Sequence, residues 1–506
     1  MSTNAKKNLI INVGSNFLAI FISAIITIWL TPYLIKTLEV EVYGIIPLVT
    51  SLITYFNLLT SSISQSVGRF VTVSFNKDDL VESNIYFNTA LGALLLLCGG
   101  LFVPVIVISV CFSYFFNVPP GHELASSWLC FMVIVGSFIM AISSPFMVSI
   151  MITNKFYLQN INQVLGKSLR VGVLVICFVC LKPSLVYFGI SYLTMALFLL
   201  ISFMIISRQL VPQLTINPRL FSRKALKQMS GLSAWIVVES VGAIFYISIT
   251  YIVINVFLGS EQGGQYGPIA ELVMLFSLLG ASITNVFAPI AYKYIAKNEF
   301  VLLAMQLKRT LKFICLIMAY PIGLVCGLAN PVLQRWLGDE FVDLAPLLLI
   351  IMIPWLVSIS TRPCSAIFRG LNKAKLPALV TLVLGFVNAL LSIILVTNTD
   401  LGLYGVGISL LICLTIKNLF FTTIYAAIIT GTSKKTYFME IVAGCIAFAI
   451  VFALAKLLCN YFFLATMPRL AIVAIIGAIV YFPSCYFVFI NRDEKTLLKS
   501  FLSRNK

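Results

Sequence analysis

Lys167 and Arg170 stand one helical turn apart in a long apolar stretch, on a face that also includes Asn160 and Gln163. Lys417 stands beside Thr415 and Asn418 in another such stretch. An ionised side chain in the middle of a lipid-crossing helix costs about 2.5–3.5 kcal/mol on insertion scales, so three of them without a use would be a large unexplained cost. The intramembrane acids that could neutralise them are Glu239 and Glu271. Two carboxylates cannot balance three cations, so a net positive cavity is expected if all face inward. Its chemistry would be the electrostatic holding of an anion. Lys167, Arg170 and Lys417 are the candidate contacts. Arg69, near a helix end, either meets an entering anion or anchors at the surface, whereas Lys312 and Lys456 read as anchors.

Small polar residues extend the candidate lining. One face of the first apolar run has Asn12, Asn16, Ser23, Thr27 and Thr31, and the second run repeats the pattern with Thr50, Thr54, Asn57, Ser61 and Ser64. Polar groups in lipid must face water or protein, so these stripes either line a cavity or bind helices together. Other reactive residue types lack partners at useful spacing. His122 is the single histidine and falls in a loop, NVPPGHELASS. Cys177 and Cys180 form a CxxC inside an apolar run with no second pair, which reads as packing. Asp339, Glu340 and Asp343 read as a helix start. No nucleophile constellation, metal site or Gly-rich phosphate loop is visible, so no enzymatic activity is expected.

The elements that must position these residues are membrane helices. Sixty per cent of the 506 residues are apolar and ten per cent charged, less than half the charge of an ordinary soluble domain. Fourteen spans are predicted at 12–35, 43–64, 85–115, 127–152, 158–181, 185–207, 231–258, 267–291, 311–333, 342–363, 376–397, 402–429, 438–459 and 469–490. The net charge of +17 collects in alternate connections when the N-terminus is placed inside. That bias predicts cytoplasmic N- and C-termini and makes nucleic acid unnecessary as a partner. The N-terminal run is too long for a signal peptide and reads as the first span. The sequence NPRLFSRKALKQMSG predicts a short amphipathic helix with Asn217 as N-cap, Arg219, Arg223 and Lys227 on one stripe, and Phe221, Ala225 and Met229 on another. Its expected place is the acidic inner leaflet.

An internal duplication is also legible. An offset of 218 residues superposes Pro145, Asn154 and Lys155 on Pro363, Asn372 and Lys373, and Gly189-Ile190-Ser191 on Gly407-Ile408-Ser409. With small gaps, Tyr43-Gly44 matches Tyr266-Gly267 and Ser62-Ile63 matches Ser282-Ile283. The fold expected is all-α, with two pseudo-symmetric six-helix lobes as a parallel repeat and two C-terminal helices. The divisions are 1–207, a linker 208–230, 231–430, and 431–506 with a basic tail.

The segments TPYLIKTLEVEVYGIIPLVTSLITYF, SQSVGRF, SSPFMVSIMITNKF with its repeat TRPCSAIFRGLNKAK, WLGDEFVDLAPLLL and GLYGVGIS resemble the polysaccharide branch of the multidrug/oligosaccharidyl-lipid/polysaccharide (MOP) flippases. The likeness is nearest to Wzx-type O-antigen and capsule repeat-unit flippases and covers essentially the whole chain. Where relatives usually have Gly soon after the first helix, this chain has Glu39. The resemblance implies translocation of an undecaprenyl-diphosphate-linked oligosaccharide between leaflets of a bacterial inner membrane by alternating access. A polysaccharide polymerase and chain-length machinery would be neighbours, membrane lipids the surroundings and a monomer the working form. No cofactor is implied beyond a coupling H⁺ or Na⁺, for which Glu239 and Glu271 are the candidate carriers. The rivals are a multidrug exporter, which tends to have an acid in its first helix where this chain has none, and a lipid II flippase, favoured by basic residues in the first two helices. A membrane-embedded glycosyltransferase or polymerase would need a sizeable outer loop.

Overall fold

A peptide group left unpaired in hydrocarbon costs several kcal/mol, so each apolar run closes its hydrogen bonds on itself as helix. The computed structural model describes residues 3–230, 234–461 and 466–488. The tail from Arg492, and the side chains of Lys6, Lys7 and Ser61, lie outside the described residues. The long helices are α1 Thr3–Leu38, α2 Ile45–Phe75, α3 Leu80–Val110, α4 Glu123–Ser143, α5 Phe156–Cys180, α6 Leu185–Leu210, α7 Ala234–Leu258 and α8 Ser260–Ala296. They continue with α9 Phe300–Gly327, α10 Ala345–Thr361, α11 Lys375–Asn398, α12 Leu403–Thr415, α13 Lys435–Tyr461 and α14 Met467–Val488. Among the described residues thirteen spans pass on length and apolarity, and α8, bent by 42°, makes a fourteenth. The fold is therefore the all-helical, multi-pass architecture that the apolar runs predict.

Two ends differ from the apolar runs for local reasons. The third run breaks after Val110 into a separate turn, Phe112–Phe115. Its helix begins at Leu80 because the Asp79 carboxylate accepts from the Glu82 amide at 2.8 Å. α9 starts eleven residues before the predicted 311, since Leu303, Ala304 and Leu307 make one buried stripe through otherwise exposed turns.

The duplication is written in the backbone. Asn154 and Asn372 both adopt φ near +55°, at 53° and 57°, the left-handed conformation that ends helices and that Asn tolerates. The following amides close the same bond, Lys155 to the Ile150 carbonyl at 3.0 Å and Lys373 to Phe368 at 2.7 Å. Asp78 and Asn298 form a second such pair, with Asp79 bonded to Ser74 and Glu299 to Tyr294. Gly189 meets Met132 of α4, and Gly407 meets Leu347 and Ile350 of α10, so the two repeats use the same close helix crossing.

Two compact units result, Met1–Pro268 and Ile269–Lys506. In the first, α4 packs on α6, α5 lies between α1 and α6, and α2 contacts α3, α4 and α7. In the second, α9 packs on α13 and α10, and α12 on α10 and α11. The unit boundary falls inside α8, so the seventh span packs with the first six even though the sequence repeat assigns it to the second copy.

The basic linker departs from its expected form. Asn217 does cap a turn, accepting from the Arg219 amide at 3.1 Å, but the turn is a 3₁₀ segment, Pro218–Leu220, and the helix restarts at Arg223–Ser230. Ala225 and Met229 are buried, and the helix packs on α2 and α3, so this stripe meets protein and not lipid. The reason is a polar ladder on α3. Asn84 donates to Gln213 O and accepts from Thr215 N, Asn88 donates to Thr215 O and accepts from Asn217 N, and Thr89 accepts from Ser222 N, all within 2.7–3.0 Å. The Phe221 ring then lies over bare Gly92, where a Cβ would stand 2.9 Å from it.

Candidate functional site

α5 places its cations by facing two neighbours at once. Lys167 Nζ donates to Ser23 Oγ of α1 at 2.9 Å. Arg170, one turn further on, turns to α6, its guanidinium carbon 4.4 Å from the Phe188 ring centre and 5.2 Å from that of Tyr192. Both rings are buried and both cations half-buried. Stacking on aromatic faces holds a guanidinium without neutralising it, contributing about 0.5–2 kcal/mol. The hydroxyl and the two rings thus fix the pair in place.

Much of the expected polar lining also serves to join helices. Asn12 donates to the Asn154 carbonyl at 3.0 Å and accepts from the Tyr157 amide at 2.9 Å, bracing the start of α5. Asn160 donates to Ser15 Oγ at 2.9 Å. Thr31 bonds back to Thr27 O within its own helix, and Ser64 accepts from Ser144 at 2.9 Å. Gln163 is half-buried, while Asn16, Asn57 and Arg69 are exposed. The first unit therefore brings Lys167, Arg170, Asn160 and Gln163 together on α5, against α1. Glu239 lies half-buried on α7.

Lys417 and Glu271 belong to the second unit and are half-buried. Lys417 lies in a π-helical segment, Ile416–Thr422, that continues α12 into Thr423–Ile429. Its carbonyl accepts from Thr422 Oγ1 at 2.8 Å, five residues on, as the wider turn requires. Beside it Asn418 is only 5% exposed, and its Nδ2 has no hydrogen-bond partner among the described residues. π-helical turns inside longer helices concentrate at functional sites.

The sequence reading missed a charged cluster. Glu440 of α13 stands 3.4 Å from Lys308 and 3.7 Å from Lys312 of α9. Lys312 is buried, so its reading as a surface anchor is corrected: it is an interior cation with a carboxylate partner. Glu440 escaped notice at the edge of its apolar run, though the i, i+4 spacing of Lys308 and Lys312 was a visible signal. Arg362 was likewise passed over. It donates to Ser277 O at 2.7 Å and to the same residue's hydroxyl. Lys456 is exposed, as an anchor should be. Cys177 and Cys180 are free thiols, and among the described residues no three His, Cys, Asp or Glu side chains converge on a metal position. The second unit also has an apolar cleft of about 830 Å³ lined by α9, α13 and α14, including Leu324, Ile450, Ile476 and Arg469.

Comparison with known proteins agrees with this architecture. Residues 9–295 match the family model described as polysaccharide biosynthesis protein. The chain is 27% identical to the uncharacterized membrane protein EpsK of Bacillus subtilis (strain 168), over 96% of this chain and 97% of that one. Among solved structures it is similar to the lipid II flippase MurJ in an inward closed conformation, with a TM-score of 0.62, 14% identity, and coverage of 96% of this chain and 99% of that one. It is also similar to a multidrug resistance MATE family transporter of the MOP superfamily in an inward-facing conformation, with a TM-score of 0.61, 15% identity, and coverage of 85% and 98%. With the family model matching more than half of its length, the chain belongs to the polysaccharide biosynthesis protein family, and its multi-pass helical fold is shared with these solved membrane transporters.

Proposed function

We propose that this transporter moves a polyprenyl-diphosphate-linked oligosaccharide repeat unit, of O-antigen, capsule or exopolysaccharide type, from the inner to the outer leaflet of a bacterial cytoplasmic membrane by alternating access. The observation that carries this reading is the paired placement of Lys167 and Arg170 on α5. One is held by a hydroxyl and the other by two aromatic faces, so neither contact cancels its charge. Such a pair suits a diphosphate or acidic sugar, and Arg170 offers the planar fork that matches phosphate oxygens. Lys417 contributes the matching cation in the second unit. Nothing in this assignment requires bond making: the residues hold charge while the protein changes shape. Within the second unit, the apolar cleft lined by α9, α13 and α14 suits an isoprenoid chain.

Cytoplasmic termini, a monomeric working form, and H⁺ or Na⁺ coupling through Glu239 or Glu271 complete the proposal. The lipid II flippase and multidrug exporter readings share the fold, and the absence of an acid in α1 between Asn12 and Thr31 favours the flippase reading over the exporter.

The test is surface-polysaccharide display in a strain deleted for the gene and complemented with wild type, Arg170→Ala or Lys417→Ala at matched membrane abundance. Loss on deletion, recovery with wild type and failure of both variants is the expected result. Intact polysaccharide in the deletion strain, with altered tolerance to cationic drugs, would transfer the assignment to the exporter.

A further inference from the structure

Arg362 ends the predicted span 342–363, yet the structure carries the helical path well past it. Its own φ and ψ are helical, at −51° and −38°, and a further helix, Pro363–Gly370, follows at once. The left-handed Asn372 comes ten residues later, about 15 Å further along at 1.5 Å per residue. The guanidinium lies deeper still. Gly280 of α8 meets Ile359 of α10, whereas Arg362 donates to Ser277 O at 2.7 Å and to Ser277 Oγ. Its side chain therefore runs back along α10, away from the inner end. Ser277 stands close to the midpoint of α8, Ser260–Ala296, and both residues belong to the second unit. Arg362 is thus a mid-membrane cation.

A guanidinium stays protonated in proteins, and neither bond to Ser277 brings a negative charge. Among the described residues no carboxylate pairs with Arg362. Its Nε has no bonding partner there either, and it is not sealed inside protein. A brace between α8 and α10 is the simpler account, and the duplication argues that a brace is not enough. At the offset of 218, Arg362-Pro363 corresponds to Ser144-Pro145. Ser144 Oγ donates to Ser64 Oγ of α2 at 2.9 Å, and α2 is the repeat mate of α8. The first copy therefore joins the equivalent helices, from the same position, with two hydroxyls. A joint there needs no charge. The second copy places a cation in the membrane, where insertion is costly, at a point that a hydroxyl can serve.

We propose that Arg362 is a diphosphate-binding residue of the second unit, holding phosphate oxygens with the part of its fork that Ser277 leaves free. The assignment rests on the reading of a diphosphate-linked substrate. Two bonds to one residue, carbonyl and hydroxyl, fix the plane of the guanidinium. A planar fork oriented in advance loses less freedom when phosphate oxygens arrive, and it meets them in pairs. Its neighbour on the chain path fits the same use. The π-helical segment that bears Lys417 packs on α10. Lys417 stands fourteen residues before the left-handed Gly431, about 21 Å from the inner end of its span. Arg362, reaching outward from about 15 Å, comes to a similar depth. An ammonium and a guanidinium on adjoining elements suit a group with two phosphates better than a lone carboxylate.

The test titrates the purified full chain in detergent with farnesyl diphosphate, a short polyprenyl diphosphate, and with farnesol as the uncharged control. Wild type, Arg362→Met, Arg362→Lys and Arg170→Ala are compared. Wild type is expected to bind the diphosphate more tightly than farnesol. Arg362→Met should weaken diphosphate binding about tenfold to a hundredfold, as loss of charge-assisted bonds does, and leave farnesol binding unchanged. Arg362→Lys should fall between. A brace alone would lower the unfolding midpoint of Arg362→Met and keep its diphosphate affinity at the wild-type value, which overturns the proposal. If Arg170→Ala loses affinity while Arg362→Met keeps it, the diphosphate reading stands and Arg362 leaves the site. If wild type binds farnesyl diphosphate no better than farnesol, both fall. Should Arg362→Met not accumulate, wild type is modified with phenylglyoxal and the peptide containing Arg362 is followed by mass spectrometry. Farnesyl diphosphate is expected to slow that modification severalfold relative to farnesol; equal rates overturn the assignment.

Discussion

Lys312 of α9 and Glu440 of α13 meet 3.7 Å apart in the interior of the second unit, with Lys308 adding a second cation from the more exposed side at 3.4 Å. Removing one partner of a buried pair strands the other charge and costs about 3–5 kcal/mol. Glu440→Gln is therefore expected to lower the thermal unfolding midpoint in detergent sharply. Adding Lys312→Met should recover part of the loss, because the stranded ammonium is gone. Lys308→Gln should move the midpoint little, since its side chain is 42% exposed and such pairs contribute about 0–1 kcal/mol. Equal effects of Lys308→Gln and Lys312→Met would contradict the burial argument.

Arg170 and Phe188 give a second prediction. If the guanidinium is oriented by the ring beneath it, Phe188→Leu should reduce polysaccharide display while leaving membrane abundance within a factor of two. The lost stacking is about 0.5–2 kcal/mol. Arg170→Lys keeps the charge but not the planar fork, so partial display is expected, between wild type and Arg170→Ala. Full activity of Arg170→Lys would mean that charge alone matters there and that the Phe188 platform is packing.

How much of this was legible in the sequence depends on the kind of interaction. Helix number and class followed from apolar run length, because the bilayer imposes one solution on every run. The duplication was legible at Asn154 and Asn372 because a left-handed helix end restricts residue type at one position. The candidate cations stand where the copies differ. At the same offset Lys167 faces Gly385, Arg170 faces Asn388, and Lys417 faces Leu199. Glu440 with Lys312 and the docking of the linker on Asn84 and Asn88 were not legible. Each joins residues more than a hundred positions apart, and no local pattern encodes such a pairing. Asn12 shows the converse limit. Its stripe was read as either cavity lining or helix packing, and its bonds go to Asn154 and Tyr157, a distinction the sequence pattern could not draw.

The linker ladder yields a third prediction. Asn88 is nearly fully buried and satisfies Thr215 O and Asn217 N together. Asn88→Ala leaves both without that partner, and they can rehydrate only if the linker lifts. The expected loss is about 1–3 kcal/mol of local docking stability, from two bonds at about 0.5–1.5 kcal/mol each. Tryptic cleavage at Arg219, Arg223 or Lys224, all exposed, should then accelerate about tenfold, since every 1.4 kcal/mol is tenfold in the open population. Asn84→Ala should act in the same direction. Unchanged cleavage in the double variant would show that Ala225 and Met229 hold the linker alone.

Asn418 supplies the last prediction, in which stability and transport move in opposite directions. Its amide is buried in the π-helical segment beside Lys417, with Nδ2 lacking a hydrogen-bond partner among the described residues. A buried donor left unsatisfied costs about 1–3 kcal/mol, and replacing it by an apolar group of similar shape removes that cost. Asn418→Leu is therefore expected to raise the unfolding midpoint in detergent. If the donor is kept for a substrate oxygen that arrives with the anion held by Lys417, the same change should lower polysaccharide display well below wild type at equal or higher abundance. A residue kept only for packing would gain stability and lose nothing. Display at wild-type level in a more stable Asn418→Leu protein would remove Asn418 from the site and weaken the case for the π-helical segment as a substrate contact.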